Sequence, residues 1–120
     1  RLKIAKVYDK NLSKYSDVIQ VQKKNKKLSH SYQMYTCLIK PKLRNDFLIY
    51  MKKKGVEVSA HFVPPLHRQS YLKKFCKSKL PNTEKLSKEI VTLPIYPNLK
   101  KKELSIIIKL IDKWYSNVKK

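Results

Sequence analysis

Residues 55–67 read Gly-Val-Glu-Val-Ser-Ala-His-Phe-Val-Pro-Pro-Leu-His, a stretch that holds the only glycine of the chain, two of its three histidines and two adjacent prolines. Gly55 follows a run of helical character and can adopt the positive φ that ends a helix. The alternation of apolar and polar residues predicts a strand over 56–62, which the prolines end because they cannot donate to a ladder. This arrangement places His61 at the strand end and His67 after a stiff turn.

The alternation also predicts which side chains of this strand meet a cleft. Val56, Val58 and Phe62 fall on one face, whereas His61 falls on the other. We therefore expect His61 and His67 to face one cleft that Phe62 lines while closing the edge of the core. The residues alone leave an alternative: one histidine caps backbone carbonyls and the other is exposed. A zinc site with the third histidine lacks a suitably spaced cysteine or carboxylate.

The residues before this stretch predict two strands and a helix. Residues 18–21 suit a short strand. Residues 32–39 suit a central strand, with Tyr32 behind the cleft, because they are rich in aromatic and β-branched types and lack charge. Residues 43–54 predict a helix that Gly55 stops. We expect the strands 32–39 and 56–62 to pair or to neighbour each other within one sheet, with the helix as their crossover; their directions stay open.

Further helices are predicted on both sides of this unit from apolar residues at helical spacing. The first, over 1–15, is expected to pack its apolar face on a part of the protein outside this chain. The others cover 68–79, a segment capped by Asn82 or Thr83 that extends to Ile90, and 101–118, in which Trp114 anchors the core. Residues 93–97 are expected to form a rigid extended connector. Together these elements predict an α+β fold: a small sheet with helices packed on it.

The composition bounds the size and the class of the protein. With 120 residues, the chain is expected to form a single domain with a modest core. A net charge of +21 suggests nucleic acid or an anionic surface as a partner. Its 26 lysines are dispersed and there are only three arginines, a pattern more typical of a solvated surface. No apolar run is long enough to span a bilayer.

The motifs that would mark common enzyme classes are missing. No glycine-rich phosphate loop and no HExxH motif occurs, and the eight acidic residues are scattered. Cys76 and His67 could serve as nucleophile and base, but nothing in the sequence orients the pair. Cys37, in an apolar strand pattern, is expected to be buried. Two isolated cysteines favour a reducing, cytoplasmic location.

Short segments in a fixed order resemble the C-terminal part of the DegT-type (DegT/DnrJ) sugar aminotransferases. The segment 61–67 is similar to the His-aromatic-x-Pro-x-x-His segment of that family. The other matching segments are Arg1 to Leu12 with R-x-x-x-A-x-x-Y-x-x-x-L, His30-Ser31-Tyr32 with His-x-Tyr, Arg44 to Leu48 with R-x-x-x-L, and the Leu-Pro pairs at Leu80-Pro81 and Leu93-Pro94. No single match is specific, but the ordered set spans nearly all of the chain.

The resemblance implies that residues 1–120 form the C-terminal small domain of a pyridoxal-phosphate enzyme of aminotransferase fold type I. The chain starts within a helical pattern and without an initiator methionine, so we expect a fragment that lacks the large domain. In this family the lysine that binds the cofactor covalently and most phosphate ligands lie in that large domain. We therefore expect this chain alone to hold no cofactor and to be inactive.

The resemblance also implies a function for the full-length enzyme. It would be a homodimer that transfers an amino group from an amino acid such as glutamate to a keto-sugar of a nucleotide-sugar. His61, Phe62 and His67 are the expected substrate-binding residues, and none is expected to be catalytic. Phe62 stands where the family often has tyrosine, and residues 22–31 are unusually rich in lysine. The alternative function is a lysine-rich binding module for RNA or anionic surfaces.

Overall fold

A small antiparallel sheet with α-helices around it forms the protein. The computed structural model describes residues 1–120. Its regular elements, in chain order, are α1 (Leu2–Leu12), β1 (Ile19–Val21), β2 (Tyr35–Ile39), α2 (Pro41–Lys53), α3 (Pro81–Glu89), β3 (Ile90–Leu93) and α4 (Lys101–Val118). This arrangement confirms the predicted α+β class.

The three strands lie in the order β1-β2-β3, and both pairs are antiparallel. Ile39 of β2 pairs with Ile19, and Tyr35 at its other end pairs with Leu93. Strand β2 is therefore central, as predicted. It begins at Tyr35 rather than at residue 32, because Tyr32 has a left-handed backbone with φ of 50°.

The strand predicted over 56–62 does not form, and its predicted place beside β2 is wrong. β3 pairs with β2 instead. Only Ser59 pairs with β3, through an isolated bridge in which Thr92 N–H donates to Ser59 O at 2.8 Å and Ser59 N–H donates to Thr92 O at 3.3 Å. The chain turns at Phe62, where φ is 57°, so extended pairing cannot continue there.

Strand β3 itself contradicts two sequence predictions. The helix expected to carry Ile90 ends at Glu89, and the connector expected from residue 93 overlaps the end of the strand. The β-branched residues Ile90, Val91 and Thr92 follow the short helix α3 and pair with β2. Pairing with a central strand buries these side chains more completely than another half-turn of helix would.

The apolar face of α1 packs into the core of this chain, not on a part outside it. Ala5, Tyr8 and Leu12 are almost fully buried in a single cluster of 22 hydrophobic residues that also includes β2 and α4. The Tyr8 hydroxyl donates to Pro94 O at 2.7 Å, so it fixes the chain that follows β3.

Helix α4 confirms the prediction over 101–118, and Trp114 anchors it in the core. The indole is 2% exposed and meets the Phe47 ring edge-on, with ring centroids 4.9 Å apart. Its Nε1–H donates to Asp46 Oδ2 at 2.9 Å, so the one polar atom of the buried ring has a partner. None of the helices has the length and apolar character that a membrane-spanning segment needs.

Residues 62–80 contain no α-helix, contrary to the prediction for 68–79. Two short 3₁₀ turns, Leu66–Arg68 and Lys73–Phe75, stand in its place. Tyr71 and Phe75 are 73% and 71% exposed, so this segment has no apolar face packed on the core, and little favours a longer helix.

Candidate functional site

The three predicted site residues line one cleft. His61, Phe62 and His67 surround a space of about 570 Å³ between the turn after Ser59 and helix α3. The remaining lining residues are mostly apolar or hydroxylated: Pro65, Leu66, Leu80, Thr83, Leu86, Ser87 and Ile90. We call this space the histidine cleft. Tyr32, predicted to pack behind it, is not part of its lining and instead stacks on Tyr35.

His67 is the most buried of the three side chains. Its side chain is 7% exposed, and its Nε2 lies 3.2 Å from Glu84 Oε1 on α3. Arg68 donates to the same oxygen from Nε at 2.8 Å. The Arg68 guanidinium and, second, His67 hold the pKa of the Glu84 carboxyl below its usual range. Glu84 therefore stays ionised and orients the His67 ring.

His61 is exposed and has only a local partner, since its Nε2 lies 3.0 Å from Ser59 Oγ. Neither histidine caps a backbone carbonyl in the way that the alternative interpretation expected. Because the His61 ring is not enclosed by the protein, it remains free to reorient toward a ligand.

Phe62 corrects the prediction that it closes the edge of the core. Its side chain is 69% exposed, and its backbone has a left-handed φ of 57°. A bulky residue in this conformation is uncommon and costs free energy relative to extended backbone. The strained turn points the ring away from the core, and it lines the histidine cleft beside His61.

Arg44 holds the α3 wall of the histidine cleft in place. The residue is 8% exposed, and its Nη1 donates to Ser87 O at 3.0 Å and to Ile90 O at 3.2 Å. These carbonyls lie at the end of α3, where the helix leaves acceptors unpaired. Sequence reasoning placed Arg44 on a helix but missed this role; a lone arginine among lysines on an apolar face was the available signal.

The histidine cleft does not fit pyridoxal phosphate, the cofactor that the family resemblance implies. No lysine, aspartate or glutamate lines it, and all 26 lysines of the chain are exposed. Covalent attachment of an aldehyde cofactor needs an amine enclosed beside the reacting groups. The chain supplies no such amine.

Other chemistry considered from the sequence has little support in the geometry. Cys76 Sγ donates to Ser78 O at 3.6 Å and forms no hydrogen bond with His67. Cys37 is buried, as predicted, and burial raises the pKa of its thiol to about 12. No group of three histidine, cysteine or acidic side chains lies close enough together to hold a metal ion.

Comparisons with known proteins place this chain in a family. The model of the DegT/DnrJ/EryC1/StrS aminotransferase family matches residues 1–112. GDP-perosamine synthase from Escherichia coli O157:H7 is 28% identical over 115 residues, which are 95% of this chain and 30% of that protein. The chain spans 23% to 31% of the length of the curated relatives it matches.

Solved structures share the fold. The aminotransferase TlmJ from Streptoalloteichus hindustanus superposes with a TM-score of 0.89 at 21% identity, over 100% of this chain and 32% of that one. A Bacillus subtilis protein solved with bound cofactor PMP gives a TM-score of 0.84 at 19% identity, over 97% and 28%. Since the family model covers nearly the whole sequence, this chain belongs to the DegT/DnrJ/EryC1/StrS aminotransferase family.

Proposed function

We propose that this chain is the C-terminal portion of a pyridoxal-phosphate-dependent nucleotide-sugar aminotransferase. The full enzyme would transfer an amino group from an amino acid such as glutamate to a keto-sugar. The observation that carries the proposal is the histidine cleft, where His61, Phe62 and His67 meet although the predicted strand is absent. Family membership and the name of the GDP-perosamine relative support the substrate class.

The three residues would bind the sugar substrate without taking part in bond making. The contact with Glu84 occupies His67 Nε2 and leaves Nδ1 for a sugar hydroxyl; in the neutral ring, Nδ1 would be the acceptor. His61 is free to contribute a second hydrogen bond. The exposed Phe62 ring offers an apolar surface for the carbon face of the sugar.

The cofactor chemistry belongs to the rest of the enzyme in this proposal. Pyridoxal phosphate supplies the electron sink for transamination, and the large domain would hold it. Exposed apolar side chains at the cleft, including its lining residues Leu66 and Leu86, are surfaces that the large domain or the second subunit of a homodimer would cover. The two free cysteines suit a cytoplasmic enzyme.

Substitution of the histidines in the full-length enzyme tests the proposal. His61→Ala and His67→Ala should impair turnover of the keto-sugar while cofactor content stays intact. Loss of one hydrogen bond corresponds to a few-fold to about tenfold weaker substrate binding. The readouts are kcat/KM for the sugar and cofactor absorbance. His30→Ala is the matched control, because His30 lies outside the histidine cleft and contacts Tyr32.

Unchanged sugar kinetics in both cleft variants would contradict the proposal, as would an equal loss in the His30 control. Cofactor independence of this chain has its own test. The chain alone, incubated with limiting pyridoxal phosphate and then with borohydride, should show only scattered low-level labelling of lysines. Stoichiometric trapping at one lysine would show that the chain does hold the cofactor.

A lysine-rich binding module for RNA or anionic surfaces is the second candidate. The observation that favours it is the exposure of all 26 lysines on a chain with net charge +21. Binding through many lysines should weaken steeply as salt rises. Sequence-selective RNA binding that survives physiological salt would favour this candidate, whereas weak binding that salt abolishes would indicate incidental charge.

A further inference from the structure

Residues 71–80 combine exposed aromatic rings with uncompensated positive charge. Tyr71 and Phe75 are 73% and 71% exposed and are the two most exposed aromatic side chains of the chain. The same ten residues carry four lysines and no acid. All four lysines are exposed, and none of them forms an ion pair. We call residues 71–80 the aromatic-lysine segment; only its last residue, Leu80, lines the histidine cleft.

Lys74 joins the two exposed rings into one cluster. Its Nζ lies 5.1 Å from the centroid of the Tyr71 ring and 5.1 Å from that of the Phe75 ring. The turn that carries them is held by its backbone, because Phe75 N–H donates to Leu72 O at 3.0 Å. Attraction between the ammonium group and the ring faces keeps the three side chains together. Aromatic surface and positive charge are therefore presented at the same place.

This combination suits the surface of an anionic bilayer. Aromatic rings settle at the level of the lipid headgroups, and Tyr71 keeps its hydroxyl in the wet part of that layer. Lysines next to the surface are attracted to anionic lipids, and their long stems let the ammonium groups reach the phosphates while the methylenes stay on apolar surface. No acid in the segment opposes this attraction.

A single-stranded nucleic acid fits the segment less well. Its bases would stack on open aromatic faces, but Lys74 already lies over one face of both rings. The segment also contains two leucines that are at least partly exposed, Leu72 and Leu80. An aliphatic side chain offers no ring on which a base can stack, whereas the interface of a bilayer buries it.

We propose that the aromatic-lysine segment docks this protein on an anionic lipid bilayer. Tyr71 and Phe75 enter the headgroup layer, and the four lysines lie against the lipid phosphates. The association is peripheral, since none of the helices is long and apolar enough to cross a membrane. The inference goes beyond the proposed function and does not depend on it, because the cluster of Tyr71, Lys74 and Phe75 lies outside the histidine cleft.

Flotation with vesicles tests the apolar part of the proposal. The 120-residue chain, which has its own hydrophobic core, should bind vesicles of phosphatidylcholine mixed with phosphatidylglycerol much better than phosphatidylcholine alone. The double variant Tyr71→Ala, Phe75→Ala keeps every charge and should bind the mixed vesicles about tenfold more weakly. The control Ile49→Ala, Ile106→Ala removes two side chains that are 56% and 49% exposed elsewhere, and it should change binding by less than about twofold.

A second pair of variants tests the charged part at fixed ionic strength. Lys73→Gln, Lys74→Gln should weaken binding to the mixed vesicles about tenfold, because both ammonium groups lie next to the lipid phosphates. Lys101→Gln, Lys102→Gln removes the same charge at the start of α4 and should have an effect of less than about twofold, since charges far from the surface are screened. Circular dichroism confirms that each variant is folded.

Three results would overturn the proposal. Equal weakening in the segment variants and in their controls would indicate diffuse attraction by the net charge of +21. Tighter binding of a single-stranded oligonucleotide than of the mixed vesicles, lost in Tyr71→Ala, Phe75→Ala, would identify a nucleic-acid site instead. Vesicle binding by the 120-residue chain but not by the full-length protein would show that another part of the protein covers the segment.

Discussion

Two regions of the molecule differ in how far they bury their apolar side chains. One is the sheet together with α1 and α4, and the other is the segment 59–90. The core cluster of 22 buried hydrophobic residues has no member between residues 59 and 90. That segment nevertheless holds seven of the fourteen large hydrophobic residues that are exposed: Phe62, Val63, Leu66, Tyr71, Phe75, Leu80 and Leu86. Apolar content is present in both regions, but only one of them buries it.

This difference separates a region that buries its apolar side chains in the core from a region that leaves them exposed. The core elements bury their apolar faces against each other and supply most of the hydrophobic stabilisation. The segment 59–90 is held by polar contacts instead: the Ser59–Thr92 bridge, the Glu84 contacts and the Arg44 hydrogen bonds. Exposed apolar side chains concentrated in one segment are more typical of a binding surface than of a region without partners.

Thiol reactivity should show the largest contrast between the two regions. Cys37 lies in β2 and is 3% exposed, whereas Cys76 lies in the exposed segment and is partly accessible. A small thiol reagent at pH 8 should modify Cys76 on the order of 10³-fold faster or more, because Cys37 reacts only after global unfolding. Equal rates in the native protein, with equal rates in urea as the control, would contradict the described core.

Trp114→Ala should destabilise the protein strongly, by about 3–5 kcal/mol, since it removes a buried indole and leaves Asp46 unpaired. Tyr71→Ala, in the exposed segment, should change the free energy of unfolding by no more than about 0.5 kcal/mol. Urea unfolding measures both. If Trp114→Ala fails to fold, the milder Ile107→Val should still lower the free energy of unfolding by about 0.5–1.5 kcal/mol. A loss no larger than that of Tyr71→Ala would contradict the difference in burial between the two regions.

Arg44→Met should loosen the segment where it joins the core, because Ser87 O and Ile90 O lose their donor. Hydrogen bonds from a charged group predict a loss of about 2–3 kcal/mol. Amide exchange should increase first in α3, before β2 is affected. Arg44→Lys keeps the positive charge but not the planar guanidinium with its several donors, so it should restore only part of the lost stability. Unaltered exchange in α3 would show that Arg44 does not hold it.

At Phe62 the usual order of stability, in which an alanine variant exceeds a glycine variant, should reverse. Phe62→Gly should be more stable than Phe62→Ala by about 1 kcal/mol, because φ of 57° penalises any residue with a Cβ. At Lys109, exposed within α4, the same pair of substitutions should give the opposite order by about 1 kcal/mol. Thermal unfolding measures the stability of all four variants. A more stable alanine variant at both positions would rule out a left-handed backbone at Phe62.

The smallest effect is the pH dependence of the Glu84 contacts. The folded pKa of Glu84 lies below its ordinary value of 4.5, first because of Arg68 and then because of His67. Its stabilising contribution is therefore present above that ordinary value and disappears as the pH falls through the lowered one. Glu84→Gln should remove this part of the acid sensitivity, whereas the control Glu57→Gln should retain it.

Carboxyl chemical shifts measure the midpoint of Glu84 directly. A midpoint at or above the ordinary glutamate value would contradict the contacts with Arg68 and His67. Thermal unfolding between pH 6 and pH 3 then shows whether the loss of these contacts affects the whole domain. We expect a change confined mainly to the 66–68 turn, in keeping with the separation of the two regions.

Much of the core was predictable from local patterns. The helices α1, α2 and α4 follow from apolar residues at helical spacing, and Gly55 ends α2 with φ of 80°, as its position predicted. β2 was recognisable because it is uncharged and rich in aromatic and β-branched residues. These patterns survive in the fold because each local preference agrees with burial of the same face.

The site was predictable as a set of residues but not as a geometry. His61, Phe62 and His67 were identified from their order in the sequence, yet the strand expected to carry them is replaced by one bridge and a left-handed turn. Whether Ser59 or Ile90–Leu93 pairs with β2 depends on competition between distant segments, which no local window contains.

The amino-acid sequence by itself determined the α+β class, the helices with strong periodicity and three of the residues that line the histidine cleft, His61, Phe62 and His67. Only the tertiary structure decided that β3 pairs with β2, that α1 packs on this chain, and that Arg44 and Glu84 support the cleft. These contacts join residues far apart in the chain, and their free energy depends on burial and on unpaired carbonyls that appear only after the elements pack.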